Sequence, residues 1–575
     1  MAIQLSPGVS TTEVDLTTVV PAVASTTGAF AGKFVWGPAK VPKMIDSEVT
    51  LAKTFGQPDT NTYISFFTAA SFLAYGNDLR ITRAVPSNCN NAIANTSHSA
   101  IQIANEDEYQ ASWINGNFAN AYGPFAARYP GALGNSIKVD IFDSSVAATF
   151  TGWTYKGYFA SAPNTTAYAN RNAGSNDEFH IIVTDALGLI TGTRGQVLET
   201  FPYVSKAFDA INDSADTVYW KNVIRNQSKY IYALDTPDYA NTNATWGLTA
   251  SNTAFARTAN SATSYTLGAG CDAPVTDANI EAGFDTFNNN EVIDVSLFLT
   301  GDASIAVQQY VIDNITTAAG SLTGRNGDAI CFLSPPSSNV VNQTGNEVTN
   351  IQNWLNALSR STSYAIADSG WKYMYDKYNN VYRYIPLNAD IAGLCVFTDS
   401  VRDPWYSPAG LNRGAIKNCL KLAWNPKLPQ RDSLYSVGVN PVISLPGAGT
   451  ILFGDKTLTG KPSAFDRINV RRLFIVLEKS ISRAAKYSLF EFNDYFTRAQ
   501  FVALVTPYLR EVQGRRGIFD FRVVCDETNN TGEIIDRNQF VGDIYIKPAR
   551  SINYIALNFI AVGTGVQFSE VAGSV

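Results

Sequence analysis

The apolar residues fall into short blocks whose spacing changes along the chain, and those changes divide it. Residues 1–22 place Pro7, Gly8 and Pro21 around Val9-Ser-Thr-Thr-Glu-Val14-Asp-Leu16, extended in composition but too polar to hold a core, so the segment reads as an arm. From Gly28 short apolar runs are broken by Gly-Pro, as in Phe30 to Pro38; a helix is expected near 63–75 and a strand over 78–85, the opening of an α/β unit. Between 91 and 290, strand-like pieces such as 136–142 and 178–184 are separated by turn-rich polar stretches, the pattern of a β-sandwich or barrel insertion. Alternation of strand and helix then resumes: a strand over 293–299, a helix over 303–319, a strand over 328–333 stopped by Pro335-Pro336, and a helix over 348–358. That order predicts a parallel sheet completed by residues 23–90, so the α/β domain (23–90 and 291–400) is discontinuous and 91–290 is inserted in it.

Beyond 400 the pattern predicts an α+β C-terminal domain over 401–562, with a long helix across 465–487. In it Phe474, Leu477, Ile481, Ala484 and Ser488 recur at spacings of 3, 4, 3 and 4, and Arg472, Lys479, Arg483 and Lys486 at 7, 4 and 3. At about 100° per residue the two sets lie on opposite faces, one buried and one basic, with Ile468, Ile475 and Val476 outside that division. Near the end Ile555, Leu557, Phe559 and Ala561 alternate with Asn558 and Ile560 as a strand should. Gly563 and Gly565 then permit a hinge, and Val566 to Val571 forms a second short strand, in a terminal arm (563–575) able to pair away from its own sheet.

Composition narrows the function classes. With 575 residues, 45% apolar, the chain exceeds one core and predicts several domains. Mean hydropathy is −0.06, and the densest apolar stretches, 473–477 and 554–562, fall short of the roughly 20 residues a membrane helix needs. The N-terminus lacks the basic and apolar regions of a secretory signal, so the chain is expected to fold where it is made. Six cysteines without a CxxC pair fit free thiols in a reducing cytoplasm, with no disulfide framework and no metal site. A formal charge of −6 argues against a nucleic-acid partner held by overall attraction, yet residues 461–517 hold 11 basic against 5 acidic residues, a local +6 set against −12 elsewhere. In 241–280, Ala, Thr, Asn and Ser supply 25 of 40 residues and only Arg257, Asp272 and Asp277 are charged, which suits an exposed β surface or a long loop. Asn-x-Ser/Thr sequons such as those at Asn95 and Asn164 read as products of this composition.

The motifs point away from catalysis. Only two histidines occur, His98 and His180, neither in a nucleophile or HExxH context, and each reads as a strand or loop residue. Gly449-Thr-Ile-Leu-Phe-Gly454-Asp455-Lys456-Thr457 nearly matches a phosphate-binding loop, but Asp455 breaks both register and charge, so two strand ends and a turn are expected. No GxSxG elbow is present, and no cofactor is implied. The basic stripe has two readings, a solvated helix face or a surface complementary to an acidic partner.

Several segments together resemble the contractile-tail sheath proteins of bacteriophages. They are Ser6-Pro7-Gly8-Val9, Val20-Pro21-Ala22-Val23, Thr27-Gly28-Ala29-Phe30 and Trp36-Gly37-Pro38; then Tyr129 to Asn135, Pro404 to Gly414 and Gly449 to Leu458; and finally Asn469 to Phe474, Asn529-Asn530-Thr531, Asp536 and Lys547-Pro548-Ala549. The likeness is strongest at 1–90 and 400–562 and nearly absent from 140–290, where the family varies its outward-facing domains. It implies a structural subunit, not an enzyme, that polymerises as stacked hexameric rings around a tail tube and contracts to drive the tube through a bacterial envelope. It further implies an α/β domain of subtilisin-like topology without a protease triad, and N- and C-terminal arms that add strands to neighbouring subunits. The residues fitting those arms are Val9, Thr11, Val14, Leu16, Val566, Phe568 and Val571, with Gly563 and Gly565 as the hinge. The family's C-terminal domain faces the tube, making Arg472, Lys479, Arg483 and Lys486 candidates for that contact. Arg498, Arg510, Arg515 and Arg516 form a rival patch on a helix that Pro507 should kink. Implied partners are further copies of the chain, the tail tube protein, and baseplate and tail terminator proteins, in a virion assembled in the host cytoplasm, with no nucleic acid and no membrane insertion. The alternatives are a hydrolase on the same α/β core and a virion surface or adhesin protein.

Overall fold

Gly28–Gly32 is an interior strand of a seven-stranded sheet, and its small residues let helix Tyr63–Leu73 close on it: a Cβ added at Gly28 would fall 2.7 Å from the Phe72 ring. In this computed structural model the described residues are 23–97, 101–114, 121–143, 147–237, 245–258, 262–317, 325 and 327–554. Across the sheet the strand order is 439–440, 365–368, 330–333, 297–299, 28–32, 79–83, 43–45. Every pair is parallel except the last, where Lys43–Ile45 runs antiparallel to Leu79–Arg83.

Helices cover both faces, so these strands read as continuous apolar runs. Phe30, Leu297, Leu299, Ile330, Phe332 and Ile366 share a core with Phe66, Phe67 and Phe72 of the 63–73 helix and with Ile391 and Leu394 of Asn388–Val401. Ala29, Ala31, Phe298, Cys331 and Leu333 face the other way, onto Phe284, Val307, Ile351 and Trp354. The expected elements appear within a few residues, as 63–73, 79–83, 297–299, 330–333 and 347–358. The helix expected over 303–319 is α-helical at Ile305–Tyr310 and continues as a π-turn to Thr316. The hairpin Trp371–Asp376/Val381–Pro386 and the helix 388–401 were not foreseen. Ten of that helix's fourteen residues are buried, so it carries no polar stripe for a 3.6-residue period to reveal.

Within 91–290, the strands 196–205, 178–185, 137–143 and 262–266 form a four-stranded antiparallel sheet in that order, and 125–127 pairs with 231–233. Both share one core with helix Trp220–Gln227, a more mixed arrangement than the sandwich or barrel expected. The low-charge stretch is divided: strand 262–266 is half exposed, while Trp246, Ala250 and Phe255 turn inward from 245–258. Lys206 anchors that loop, its Nζ donating to Asp143 Oδ1 (2.5 Å), Asn176 O (2.9 Å) and Ala256 O (3.2 Å) with its side chain fully buried. Burial lowers the lysine's pKa against the pull of Asp143.

Two compact units divide the described chain: 23–404 with 408–483, and 405–407 with 484–554. Residues 439–440 complete the large sheet and Ile468 and Ile475 enter its core, so the division falls at 483/484 and not at the 400/401 boundary expected. In the smaller unit helix Tyr495–Gly514 packs Phe501, Val505, Leu509 and Val512 inward beside the hairpin 518–524/543–548. The helix runs through Pro507, which forgoes one backbone bond there.

Replacing Phe332, 1% exposed, with alanine should cost the larger unit about 3–5 kcal/mol. Val292→Ala, at a position 75% exposed, should change stability by less than about 0.5 kcal/mol. Urea midpoints of the two variants measure the difference.

Candidate functional site

Helix Ile468–Ala485 contains no glycine or proline, and its Arg, Leu and Ala residues favour an unbroken helix. Its surface is not split into the two faces expected. Ile468, Leu473, Ile475, Leu477 and Ile481 are buried, but so are Arg471, Arg472 and Lys479. Arg472 Nη2 meets Asp399 Oδ2 at 2.6 Å, and Ser25 Oγ donates to the same oxygen at 2.6 Å. Burial alone would weaken the guanidinium's hold on its proton; Asp399 outweighs it and raises the pKa. Lys479 Nζ donates to Asp294 Oδ1 (2.8 Å), Val295 O (3.0 Å) and Ser296 Oγ (2.9 Å). Arg483 is 43% exposed and pairs with the other oxygen of Asp294. Burial would raise the Asp294 pKa, but these two cations bring it below the ordinary value. Lys486, in the short turn that follows, is exposed. Of the four cations, two are therefore consumed inside the fold, because their carboxylate partners come from helix 388–401 and from the segment leading into strand 297–299.

At the carboxyl ends of the parallel strands, where α/β enzymes place their chemistry, a polar cluster is closed on itself. Ser334 Oγ donates to Asp368 Oδ2 (2.5 Å) and accepts from both the backbone and side-chain N–H groups of Asn388 (3.0 Å each). Asn388 also spans Gly301, donating to its carbonyl at 2.8 Å and accepting from its N–H at 3.2 Å. These groups are at most 2% exposed. The serine's lone pairs and hydrogen are all committed, so the cluster ties three strand ends to the start of helix 388–401 and presents no nucleophile. Burial pushes the Asp368 carboxyl up to about 8 against the opposing bonds from Ser334 and Gly370. Beside it Lys372 and Asp390 form a buried pair at 2.8 Å, joined by Tyr75.

The histidine among the described residues, His180, is likewise structural. Its Nδ1 accepts from the Tyr203 N–H (3.1 Å), Nε2 lies 2.9 Å from Ser161 O, and the ring stacks on Phe159 at 4.3 Å. Burial drives its pKa down to about 4, holding it neutral. His98 lies outside the described residues. The near-match to a phosphate loop is a strand, 449–452, followed by an irregular segment in which Lys456 and Leu458 make isolated bridges: Asp455 binds Arg467 at 3.0 Å and Lys456 Nζ donates to Tyr435 O at 2.8 Å.

In the smaller unit, Arg498 is buried and held by Asn493 at 2.8 Å, while Arg510, Arg515 and Arg516 are exposed. The main surface feature was missed in the sequence. Tyr487, Leu489, Phe490, Phe492, Tyr495 and Phe496 are each at least 61% exposed within ten residues. The signal was present as a dense aromatic run outside any helical or strand period. The two-stranded sheet nearby pairs 518–524 with 543–548 and exposes Phe519 and Tyr545. The strand-exchange residues Val9, Thr11, Val14, Leu16, Val566, Phe568 and Val571, and the hinge Gly563 and Gly565, lie outside the described residues.

Residues 275–458 match the phage tail sheath protein central domain, and residues 460–561 the phage tail sheath C-terminal domain. The tail sheath protein of Vibrio phage KVP40 is 34% identical over 99% of this chain and 100% of its own length. That of Enterobacteria phage T4 is 34% identical over 99% of each. Among solved structures, the sheath tail protein from Listeria innocua has a TM-score of 0.54 over 92% of this chain and 93% of its own, at 12% identity, a likeness of fold.

Lys479→Met leaves Asp294 and Asp328 short of a buried cation and should cost about 3 kcal/mol, whereas Arg483→Met should cost under about 1 kcal/mol, measured by urea unfolding. Asp368 is raised from 3.8 to about 8, so the folded state binds the extra proton between those values. Its stabilising contribution is therefore full below the unfolded pKa and lost as pH rises through about 8. Unfolding free energies measured across that range should decline less steeply in Asp368→Asn than in the parent.

Proposed function

The chain belongs to the phage tail sheath protein family, and on that premise we propose that it is a sheath subunit that polymerises as stacked hexameric rings around a tail tube and contracts to drive the tube through a bacterial envelope. The observation that carries this reading is the sheet 518–524/543–548. Among the described residues each of its strands has one neighbour, and two strands alone are marginally stable in water. Such a sheet is suited to accept strands from other subunits, with Val9, Thr11, Val14 and Leu16 supplying one and Val566, Phe568 and Val571 another. Gly563 and Gly565 let the second link bend while its pairing survives. Contraction is then rigid-body reorientation of subunits held in one mesh, released from a kinetically trapped assembly without a nucleotide.

The exposed run Tyr487 to Phe496 supports an assembled state, since a lone soluble protein seldom leaves so large an apolar patch in water. Contact with the tube falls to Arg483 and Lys486, with Arg510, Arg515 and Arg516 as the rival patch; Arg472 and Lys479 brace the helix from within. The α/β unit is assigned a subtilisin-like topology stripped of catalysis, and the filled hydrogen-bonding capacity of Ser334 favours this over the hydrolase reading. We assign 1–22 and 563–575 as arms, 91–290 as the outward insertion, 23–90 and 291–483 as the α/β domain and 484–562 as the tube-facing domain, the boundary expected at 400/401 having moved to 483/484. The partners are the tail tube, baseplate and terminator proteins, and assembly takes place in the host cytoplasm.

Electron microscopy of the purified full-length chain should show rings or tubes, and deletion of 563–575 should abolish them. Full-length protein that stays monomeric under all conditions, even with tube present, would overturn the reading.

A further inference from the structure

Within the exposed run from Tyr487 to Phe496, the most prominent side chain is also held by strained backbone. Phe490 is fully exposed and has a φ of 71°, in the left-handed region that a bulky residue rarely adopts. A turn in which the Glu491 N–H donates to Ser488 O (3.4 Å) presents it, and Phe492, 84% exposed, follows two residues later. Strain and apolar exposure are both costly, and full exposure leaves Phe490 without packing to offset either. Glu491 and Asp494 are exposed beside the two rings, and the run from 487 to 496 contains no basic residue.

A complementary surface lies on the larger unit. The two-residue strand Lys421–Leu422 pairs with Lys372 and Tyr373 of the hairpin 371–386 and goes no further. Beside Tyr375, where that pairing has ended, a cavity of about 620 Å³ opens between the hairpin, helix Tyr63–Leu73 and residues 416–420. Phe67 and Met374 close its floor and are themselves nearly covered; the surface within reach comes from Tyr375 (45% exposed), Tyr382 (54%) and Leu420 (63%). Tyr375 and Tyr382 stand directly across the hairpin with their rings 5.3 Å apart, so an apolar guest meets aromatic and aliphatic side chains together.

The rim carries the charge that the aromatic run lacks. Glu48 is taken up by Lys377 Nζ and the Tyr378 hydroxyl, at 3.1 Å each. Lys417 and Lys421, on the segment that forms one wall, hold their ammonium groups over the rings of Tyr75 (4.7 Å) and Tyr373 (4.9 Å) rather than against a carboxylate. The best occupant is therefore aromatic at its tip and acidic beside it, and the run 487–496 has both properties. Since run and cavity are different parts of one chain, their contact joins copies head to tail, a geometry that repeats into rings or filaments instead of stopping at a dimer.

We propose that Phe490 and Phe492 of one copy enter the cavity formed by Tyr375, Tyr382 and Leu420 on a neighbouring copy, with Glu491 and Asp494 set toward Lys417 and Lys421. The inference rests on the reading of the chain as a self-assembling subunit, and it adds a second joint to the strand exchange at 518–524/543–548.

Cys419 lines the cavity and Glu491 lies between the two phenylalanines, so cross-linking can trap the contact with both rings intact. Full-length Glu491→Cys treated with a short bismaleimide should give a ladder of trimers and longer species on denaturing gels, while electron microscopy of the same sample reports assembly. The parent, and Glu491→Cys combined with Cys419→Ser, should give no ladder. Adding Leu420→Asp, which sets a carboxylate in the cavity against Asp494, should cut the cross-linked yield about tenfold. Leu428→Asp, at a residue 62% exposed and outside the cavity lining, should leave the yield unchanged. If Leu420→Asp fails to fold, as judged by circular dichroism, Phe492→Ala in the Glu491→Cys chain takes its place with the same expected loss. Rings or tubes without a ladder would overturn this inference alone, and neither ladder nor assembly would overturn it together with the sheath reading. A cross-link confined to single chains or dimers, or a ladder that survives Cys419→Ser or Leu420→Asp, would also overturn it.

Discussion

The parallel pairing of Gly28, Ala29 and Phe30 with Leu297, Phe298 and Leu299 is the contact on which the larger unit depends. It joins the two sides of the whole insertion at the centre of the seven-stranded sheet, so both cores of that sheet require residues from each side. Long-range pairing of this kind must overcome a large loop-closure entropy, and the fold supports it with buried guanidinium groups. Arg83 holds the carbonyls of Phe34, Val35 and Gly37 just beyond the first strand. Arg325 holds those of Phe287, Ile293 and Val295, where the chain returns from the insertion. Irregular backbone is thereby satisfied without water at both crossings.

Several charged pairs serve the interior of this molecule. Arg472 with Asp399, Lys479 with Asp294, Lys372 with Asp390 and Lys206 with Asp143 are all buried or nearly so. Each fixes one segment against another, and each is costly to break by removing one partner. A local excess of positive charge in the sequence is therefore a poor map of positive surface here. Beside its exposed arginines, the smaller unit offers solvent a dense set of apolar and aromatic side chains, from Tyr487 to Phe496 and at Phe519 and Tyr545. A surface of that character is consistent with a chain whose final environment is a lattice of its own copies.

Legibility followed periodicity. The strands 79–83, 297–299 and 330–333 and the helices 63–73 and 347–358 were readable because each was a uniform block bounded by glycine, proline or polar residues. Helix 388–401 was not, since burial on nearly all sides erased its polar stripe. The stripe of Arg472, Lys479, Arg483 and Lys486 had correct spacing but misleading meaning, because spacing cannot reveal that Asp399 and Asp294 arrive from elsewhere in the chain. The place of His180 on a strand was readable from its flanking apolar residues, and the failure of the phosphate-loop match from the misplaced carboxylate of Asp455, which binds Arg467. The closed cluster of Ser334, Asp368 and Asn388 was invisible, because its members lie on three separated segments.

The central claim is that the sheet 518–524/543–548 is completed by strands from other copies of the chain. Hydrogen–deuterium exchange resolved to those two segments, in dissociated protein and in the assembled form, tests it most directly. Strand addition predicts that the backbone amides along the outer edges exchange quickly in dissociated protein and become strongly protected on assembly. Equal exchange in the two forms would contradict the account.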